Sequence, residues 1–235
     1  MRNSSGQDTL YKGNAQPTNK APSCRFESCP GHKHNQNIKH MNTFEQTKAE
    51  ILRRAKNAGA CQTGYKAGLE AQNEQELLKV ITDNFYWALN NRVIDAHFLA
   101  DHFSKEDLDK AGIVLSGGIK TTEGRLYALG HASVKAYDNA SVIACGNASV
   151  EAYGNASVKA WNNASVEARD NASVVACGSA SVEAWDNASM VACGNAYVLD
   201  YTGNIRNPHD MAIIRDYNLN KIYVKKGAFE IVEVE

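Results

Sequence analysis

The sequence has very little proline, four residues in 235, so long Pro-rich linkers are excluded. It has no run of about 18 apolar residues, so no membrane-spanning helix is expected. Neither sign of charge dominates: 25 Lys and Arg stand against 26 Asp and Glu. As readings of the whole chain, that excludes a strongly basic nucleic-acid binder and a strongly acidic DNA mimic. Residues 1–40 lack an apolar h-region, and no secretory signal is expected. At 43% hydrophobic and 22% charged residues the composition is that of an ordinary globular protein. The length suits two modules better than one.

Residues 1–40 are nearly free of aliphatic side chains and read as a disordered tail. Six basic residues (Arg2, Lys12, Lys20, Arg25, Lys33, Lys39) face only Asp8 and Glu27. Cys24, Cys29, His32 and His34 form a C-x4-C-x2-H-x-H pattern. A closed zinc site needs four converging ligands, and loops this short strain that geometry, so no metal is expected. A second reading concerns the nucleic acid. Arg25-Phe26-Glu27-Ser28 can be encoded by a string containing GGTTCGAATCC, the T-arm sequence of most bacterial tRNA genes. The reading frame would then run through a tRNA gene, with Met41 as the true start. Mobile elements commonly integrate beside such genes. The nucleotide sequence over these codons decides between a tail and a read-through.

Residues 41–112 read as a helical module. Thr43 and Gln46 form a capping box, as do Asn73 and Glu76. Phe44, Ile51, Leu52 and Ala55 recur at helical spacing, and Gly59 ends that helix. A short helix is expected around Tyr65–Ala71. Leu77, Leu78, Ile81, Phe85 and Ala88 mark one face of a long helix that Asn90-Asn91 breaks. Two short helices come next, around Ala96–Phe103 and after Ser104, ending at Gly112. About seventy residues are few for a self-sufficient core, so the module should lean on the repeat region C-terminal to it. Asp95, His97, Asp101 and His102 lie close together, and His97 and Asp101 share a helix face. A solvated helix face explains them without a metal. Cys61 reads as a small buried hydrophobe.

From Ala132 the chain repeats every eight residues: ASVKAYDN, ASVIACGN, ASVEAYGN, ASVKAWNN, ASVEARDN, ASVVACGS, ASVEAWDN, ASMVACGN, then AYVLDYTGN. Residues 124–131 fit as a degenerate first copy. So short a period means a solenoid whose copies pack only on their neighbours. Alternation at period two sends positions 1, 3 and 5 (Ala, Val, Ala) inward and positions 2, 4 and 6 outward. Lys135, Glu151, Lys159, Glu167 and Glu183 at position 4 cannot all be buried. Gly, Asn and Asp in the closing pair make tight turns with positive φ.

The fold class is therefore α+β: a small helical module, an octapeptide-repeat β-solenoid over 113–204, and a C-terminal β cap over 205–235. Alternating copies share their outward residues, which favours two octads per coil. The alternative is three octads per coil, which would stack Tyr137, Trp161 and Trp185. At roughly 4.8 Å per coil the array forms a rod of about 20–25 Å. The cap is expected as strands over Met211–Tyr217, Lys221–Lys226 and Phe229–Val234. With sixteen residues per coil, one face carries Tyr137, Tyr153, Arg169 and Trp185. The other carries Ile143, Cys145, Val175, Cys177, Val191 and Cys193. The second face reads as a docking surface for the helical module or for a second copy, and its thiols suit a reducing cytosol. From Ala132 the array holds three basic residues against seven acidic ones, which disfavours a phosphate backbone as partner. Its turns hold too few oxygen ligands for calcium.

The Gly59-Ala-Cys61-x-x-Gly64 helix end, the stretch Leu77-Leu-Lys-Val-Ile-Thr-Asp-Asn-Phe-Tyr-Trp87-Ala and the octads resemble uncharacterised proteins of phages and gut-bacterial mobile elements. The resemblance spans about residues 45–204. It implies phage or prophage origin and carries over no activity and no site residue. A nucleophile–base pair, a phosphate loop and a metal set are not legible. The chain therefore reads as non-catalytic and without a cofactor. The expectation is an interaction protein of the host cytoplasm, an inhibitor or modulator of a host system. Its partner is a protein, held by Tyr137, Tyr153, Trp161, Arg169 and Trp185. The alternative is a structural or adhesive component of a phage particle or cell surface.

Overall fold

The structure is a computed structural model and describes residues 43–230. The zinc-like pattern, the tRNA-gene reading and most of the strand expected over 229–234 lie outside those residues.

Five of the six helices begin where a side chain satisfies free backbone amides, α4 being the exception. Helix α1 (Phe44–Asn57) starts at a reciprocal capping box of Thr43 and Gln46. Helix α2 (Gln62–Glu70) is capped by the Cys61 sulfur, and α3 (Glu74–Asp83) by Asn73. Helix α4 (Phe85–Asn90) comes immediately after. Asp95 caps α5 (Ala96–His102), and Ser104 caps α6 (Lys105–Lys110). The long helix expected through Ala88 is two helices. Asn84 leaves helical geometry at φ −117°, ψ 24°, and its Nδ2 donates to the Val80 carbonyl at 2.9 Å. The break lets Phe85 and Ala88 enter the core while Tyr86 stays exposed.

These helices do not close their own core. Leu77, Leu78, Ile81, Phe85 and Leu99 pack in one cluster with Ile113, Tyr127 and Leu129 from the first two strands. The Tyr127 ring lies 4.4 Å from that of Phe85, and its hydroxyl donates to the Thr82 carbonyl at 3.1 Å. Gly130 of the second strand is pressed between the first strand and α5, whose Ala96 Cβ would lie 3.4 Å from a Cβ at this position. It sits at φ +61°, and a Cβ there would stand 2.8 Å from the Leu115 carbonyl oxygen.

The solenoid covers residues 113–216 in about six turns. Strands β1 (Ile113–Thr121) and β2 (Arg125–Ala136) pair in parallel. Beyond them the chain alternates between two sides. One sheet holds β3 (Ser141–Ala144), β5 (Ser157–Ala160), β7 (Ser173–Ala176) and β9 (Ser189–Ala192). The other holds β4 (Ser149–Ala152), β6 (Ser165–Ala168), β8 (Ser181–Ala184), β10 (Tyr197–Asp200) and β11 (Ile213–Asp216). From β2 onward every parallel partner is sixteen residues away, as in Ser149↔Ser165, Ser165↔Ser181 and Ser181↔Tyr197. Two octads make one coil, and the three-octad alternative does not hold.

The octad works because its inward residues are small. Ala140, Val142 and Ala144 are all 0% exposed, and the copies after them repeat this almost unchanged. Each fully buried Val contributes roughly 1.5–3 kcal/mol. The seventh position of each octad must be left-handed: Asp138 lies at φ 53°, Gly146 at 70°, Asn162 at 59° and Asp186 at 56°. Gly, Asn and Asp are the residues that tolerate this. Successive turns bond to one another, as in Asn155 N–H to the Asp138 carbonyl at 2.8 Å. Turn carboxylates add to the ladder: Asp170 Oδ2 accepts from the Gly154 N–H at 2.9 Å.

The array runs one coil past its expected end at Asn204. Strand β11 pairs with β10 in the same register, Tyr197↔Ile213 through Asp200↔Asp216. Asp200 and Asp216 replace the inward Ala and are fully buried. Asp200 holds the loop C-terminal to it, accepting from the Thr202 N–H at 2.8 Å and the Ile205 N–H at 3.1 Å. Of the expected capping strands, the first is thus part of the solenoid. The second, β12 (Lys221–Val224), pairs antiparallel with β11. It leaves Ile222 64% exposed.

Inward and outward positions should respond oppositely to substitution. Ala160→Leu, at a position 0% exposed, should destabilise the fold by about 1–3 kcal/mol or more through overpacking. Lys159→Ala, on the exposed side of the same strand, should stay within about 0.5 kcal/mol of the parent. Urea denaturation midpoints check both.

Candidate functional site

The sixth position of the octad comes just after each strand, and at a sixteen-residue repeat these residues stack. On the β4–β6–β8–β10–β11 side they form one column: Tyr137, Tyr153, Arg169, Trp185, Tyr201, Tyr217. The Tyr137 and Tyr153 rings lie 5.1 Å apart. The Arg169 guanidinium stands 5.2 Å from the Trp185 ring. Trp185 and Tyr201 stack at 3.9 Å, and Tyr201 and Tyr217 at 4.6 Å. Tyr201 and Tyr217 lie sixteen and thirty-two residues beyond Trp185, so the same spacing that placed Trp185 would have found them.

The fourth positions run alongside this column. Lys135 Nζ meets Glu151 Oε2 at 2.6 Å, and the Tyr153 hydroxyl donates to the same oxygen at 2.9 Å. Arg169 Nε pairs with Glu167. The hydrogen bond from Lys135, then that from Tyr153, holds the Glu151 carboxyl below its ordinary range. Lys135 is raised in return, chiefly by its bond to Glu151. The Trp185 Nε1–H is buried in the stack and meets no hydrogen-bond partner.

The opposite column holds Cys145, Trp161, Cys177, Cys193 and His209. Trp161 is therefore separated from the other four residues expected to bind a partner. It is one octad out of step with them, and one octad is half a coil. Its ring meets Tyr86 of α4 at 4.7 Å. Ile143 packs against the helical core and Cys145 is buried. The near part of this face thus receives the helical module, one of the two occupants expected for it. Beside this contact a cleft of about 510 Å3 is lined by Leu89 and Arg92 of the helical module and by Trp161 and Cys177 of the solenoid. Beyond it Val191 is 47% exposed.

Free thiols were expected on this face. Cys177 and Cys193 are instead joined as a disulfide, with Cα atoms 4.7 Å apart, because residues i and i+16 are lateral neighbours. Cys145 remains a thiol, and burial pushes its pKa up to about 12. Cys61 is exposed and not the buried hydrophobe its sequence context suggested. Its sulfur accepts from the Gly64 N–H at 3.4 Å.

The candidate ligands of the helical module have structural partners. Asp95 Oδ1 accepts from the Phe98 N–H at 2.8 Å. His102 Nδ1 lies 2.9 Å from the Phe98 carbonyl, and its ring stacks on Phe98 at 3.9 Å. Among the described residues no three His, Cys, Asp or Glu side chains converge to hold a metal, and no helix is long and apolar enough to cross a membrane. Comparison with protein-family models, curated proteins and solved structures finds no match to this chain. What the chain offers is a flat sheet carrying a continuous aromatic and cationic column, edged by paired charges.

The ion pairs and the thiols each set a measurable outcome. A carboxylate with a lowered folded pKa contributes stability above its unfolded pKa and loses it as pH falls. The parent should therefore lose stability as pH drops below about 4.5, the ordinary Glu range, and Glu151→Gln should lose part of that acid sensitivity in pH-dependent melting. Peptide mapping after alkylation of the native chain at pH 8 should show Cys61 modified quickly and Cys145 slowly. Cys177 and Cys193 should react only after reduction.

Proposed function

We propose that this is a non-catalytic interaction protein of phage or prophage origin that engages a protein partner through its aromatic face. The observation that carries the reading is the six-residue column from Tyr137 to Tyr217. The fold has no need of large side chains there, because its core is closed by Ala and Val on the other side of each strand. Tyr, Trp and Arg are the residue types that dominate binding hot spots. Ring faces in a flat row, bordered by Lys135–Glu151 and Arg169–Glu167 pairs, suit a protein surface with its own apolar anchors and mixed charge. A host-cell protein in the cytoplasm, inhibited or modulated by capture, is the partner that agrees with the resemblance to mobile-element proteins. A second reading is a structural component of a phage particle or cell surface, and the coil-to-coil Cys177–Cys193 disulfide favours it.

Capture from host lysate tests the first reading. Tyr153→Ala and Trp185→Ala should fold normally and weaken retention of the specific partner by about 2 kcal/mol or more, roughly thirtyfold. Lys159→Ala, on the opposite face, should leave it unchanged. Undiminished capture by both aromatic variants would make the column a purely structural ladder. Recovery of the chain from purified particles would favour the second reading.

A further inference from the structure

The helices line a pocket of about 320 Å3 that opens to solvent, and none of its lining residues belongs to the solenoid. Ile51 and Ala55 of α1, Val80 and Ile81 of α3, and Trp87 of α4 form its apolar walls. A dry apolar cavity of about 150 Å3 holds a benzene, and small-molecule sites begin near 300 Å3.

The wall nearest solvent is unusual in composition. Helix α2 has nine residues and carries both Gly64 and Gly68, each of which lowers its helix propensity. Packing explains Gly68, where a Cβ would come 3.1 Å from Leu52 Cδ2. Packing does not explain Gly64. A Cβ there would stand 3.4 Å from Cys61 Sγ and 3.5 Å from Asn84 Oδ1, both ordinary contacts. An alanine would fit, but it would cover the Asn84 oxygen.

That oxygen is a fixed acceptor. The Asn84 Nδ2 bond to the Val80 carbonyl sets the orientation of the amide. Its Oδ1 accepts no hydrogen bond from any described residue. The cavity is lined by no charged side chain, so a charged ligand would be left without compensation. We infer that the cavity is a binding site for a neutral small molecule. Scaling from the benzene-sized cavity allows about thirteen non-hydrogen atoms, room for a hydrocarbon body of about ten carbons with one O–H or N–H group that donates to Asn84 Oδ1. Cys61 stands exposed at the rim and reports on occupancy.

Calorimetric titration of the whole chain with 2-naphthol and naphthalene tests the inference. Iodoacetamide alkylation of Cys61, read by peptide mass spectrometry, runs beside it. 2-Naphthol should bind one to one and slow Cys61 alkylation at least fivefold at saturation. Naphthalene should bind at least tenfold more weakly. Ala55→Leu, which fills the cavity, should weaken 2-naphthol at least tenfold, and Gly64→Ala should reduce the preference for 2-naphthol over naphthalene. Should Ala55→Leu fail to fold, Cys61 protection in the parent and the Gly64→Ala preference carry the test. The inference is overturned by three outcomes. One is no saturable binding of either probe. Another is binding that leaves Cys61 alkylation unchanged. The last is equal affinity for the two probes.

Discussion

A core only as thick as an alanine and a valine on each side dictates the rest of this molecule. Such a core leaves room for two sheets and no third. The chain must then reverse after every strand, which puts a left-handed residue at each seventh position. Once two octads close a coil, residue i+16 lies one strand spacing from residue i. The Cys177–Cys193 pair, at 4.7 Å between Cα atoms, and the ring stacks from Tyr137 to Tyr217 are consequences of that one register. So is the separation of the two faces, because a shift of eight residues carries a side chain to the other sheet.

The helical module is tied to the same register at its first coils. It supplies most of a core and the strands supply the remainder, through Ile113, Tyr127 and Leu129. Its α4 end reaches the solenoid through Tyr86 and Trp161. The face that meets the helices is aliphatic near them, while the free face carries the charged and aromatic column. Covered and open surfaces of the solenoid are thus set by which octads are odd and which are even.

Much of this was legible in the octads themselves. Alternation of Ala, Val and Ala with Lys, Glu and Ser gave inward and outward sides, and the alternating outward residues gave the coil of two. The helix starts at Thr43, Asn73 and Ser104 were visible because capping chemistry is local. What escaped depends on long-range neighbours or on diverged copies. Strand β11 continues the solenoid, yet Asp216, like Asp200, stands where the earlier copies have Ala, and the intervening loop hides the period. The break at Asn84 comes from a side-chain bond to Val80 that competes with a helix the apolar spacing supports. Residue type alone puts Trp161 with the aromatic face, although its octad number places it opposite. The cavity could not be read at all, since voids arise from how Gly64, Ala55 and Trp87 meet across three helices.

Paired cysteines at outward positions measure the coil most directly. In a chain whose native cysteines are replaced by alanine, Glu167 and Glu183 are lateral partners and stand sixteen residues apart. Lys159 and Glu183 stand twenty-four apart, on opposite sheets. Under mild oxidation, Glu167→Cys with Glu183→Cys should cross-link within the folded monomer, and Lys159→Cys with Glu183→Cys should not. The reverse result, a link at twenty-four residues and none at sixteen, would contradict the two-octad coil and every column built on it.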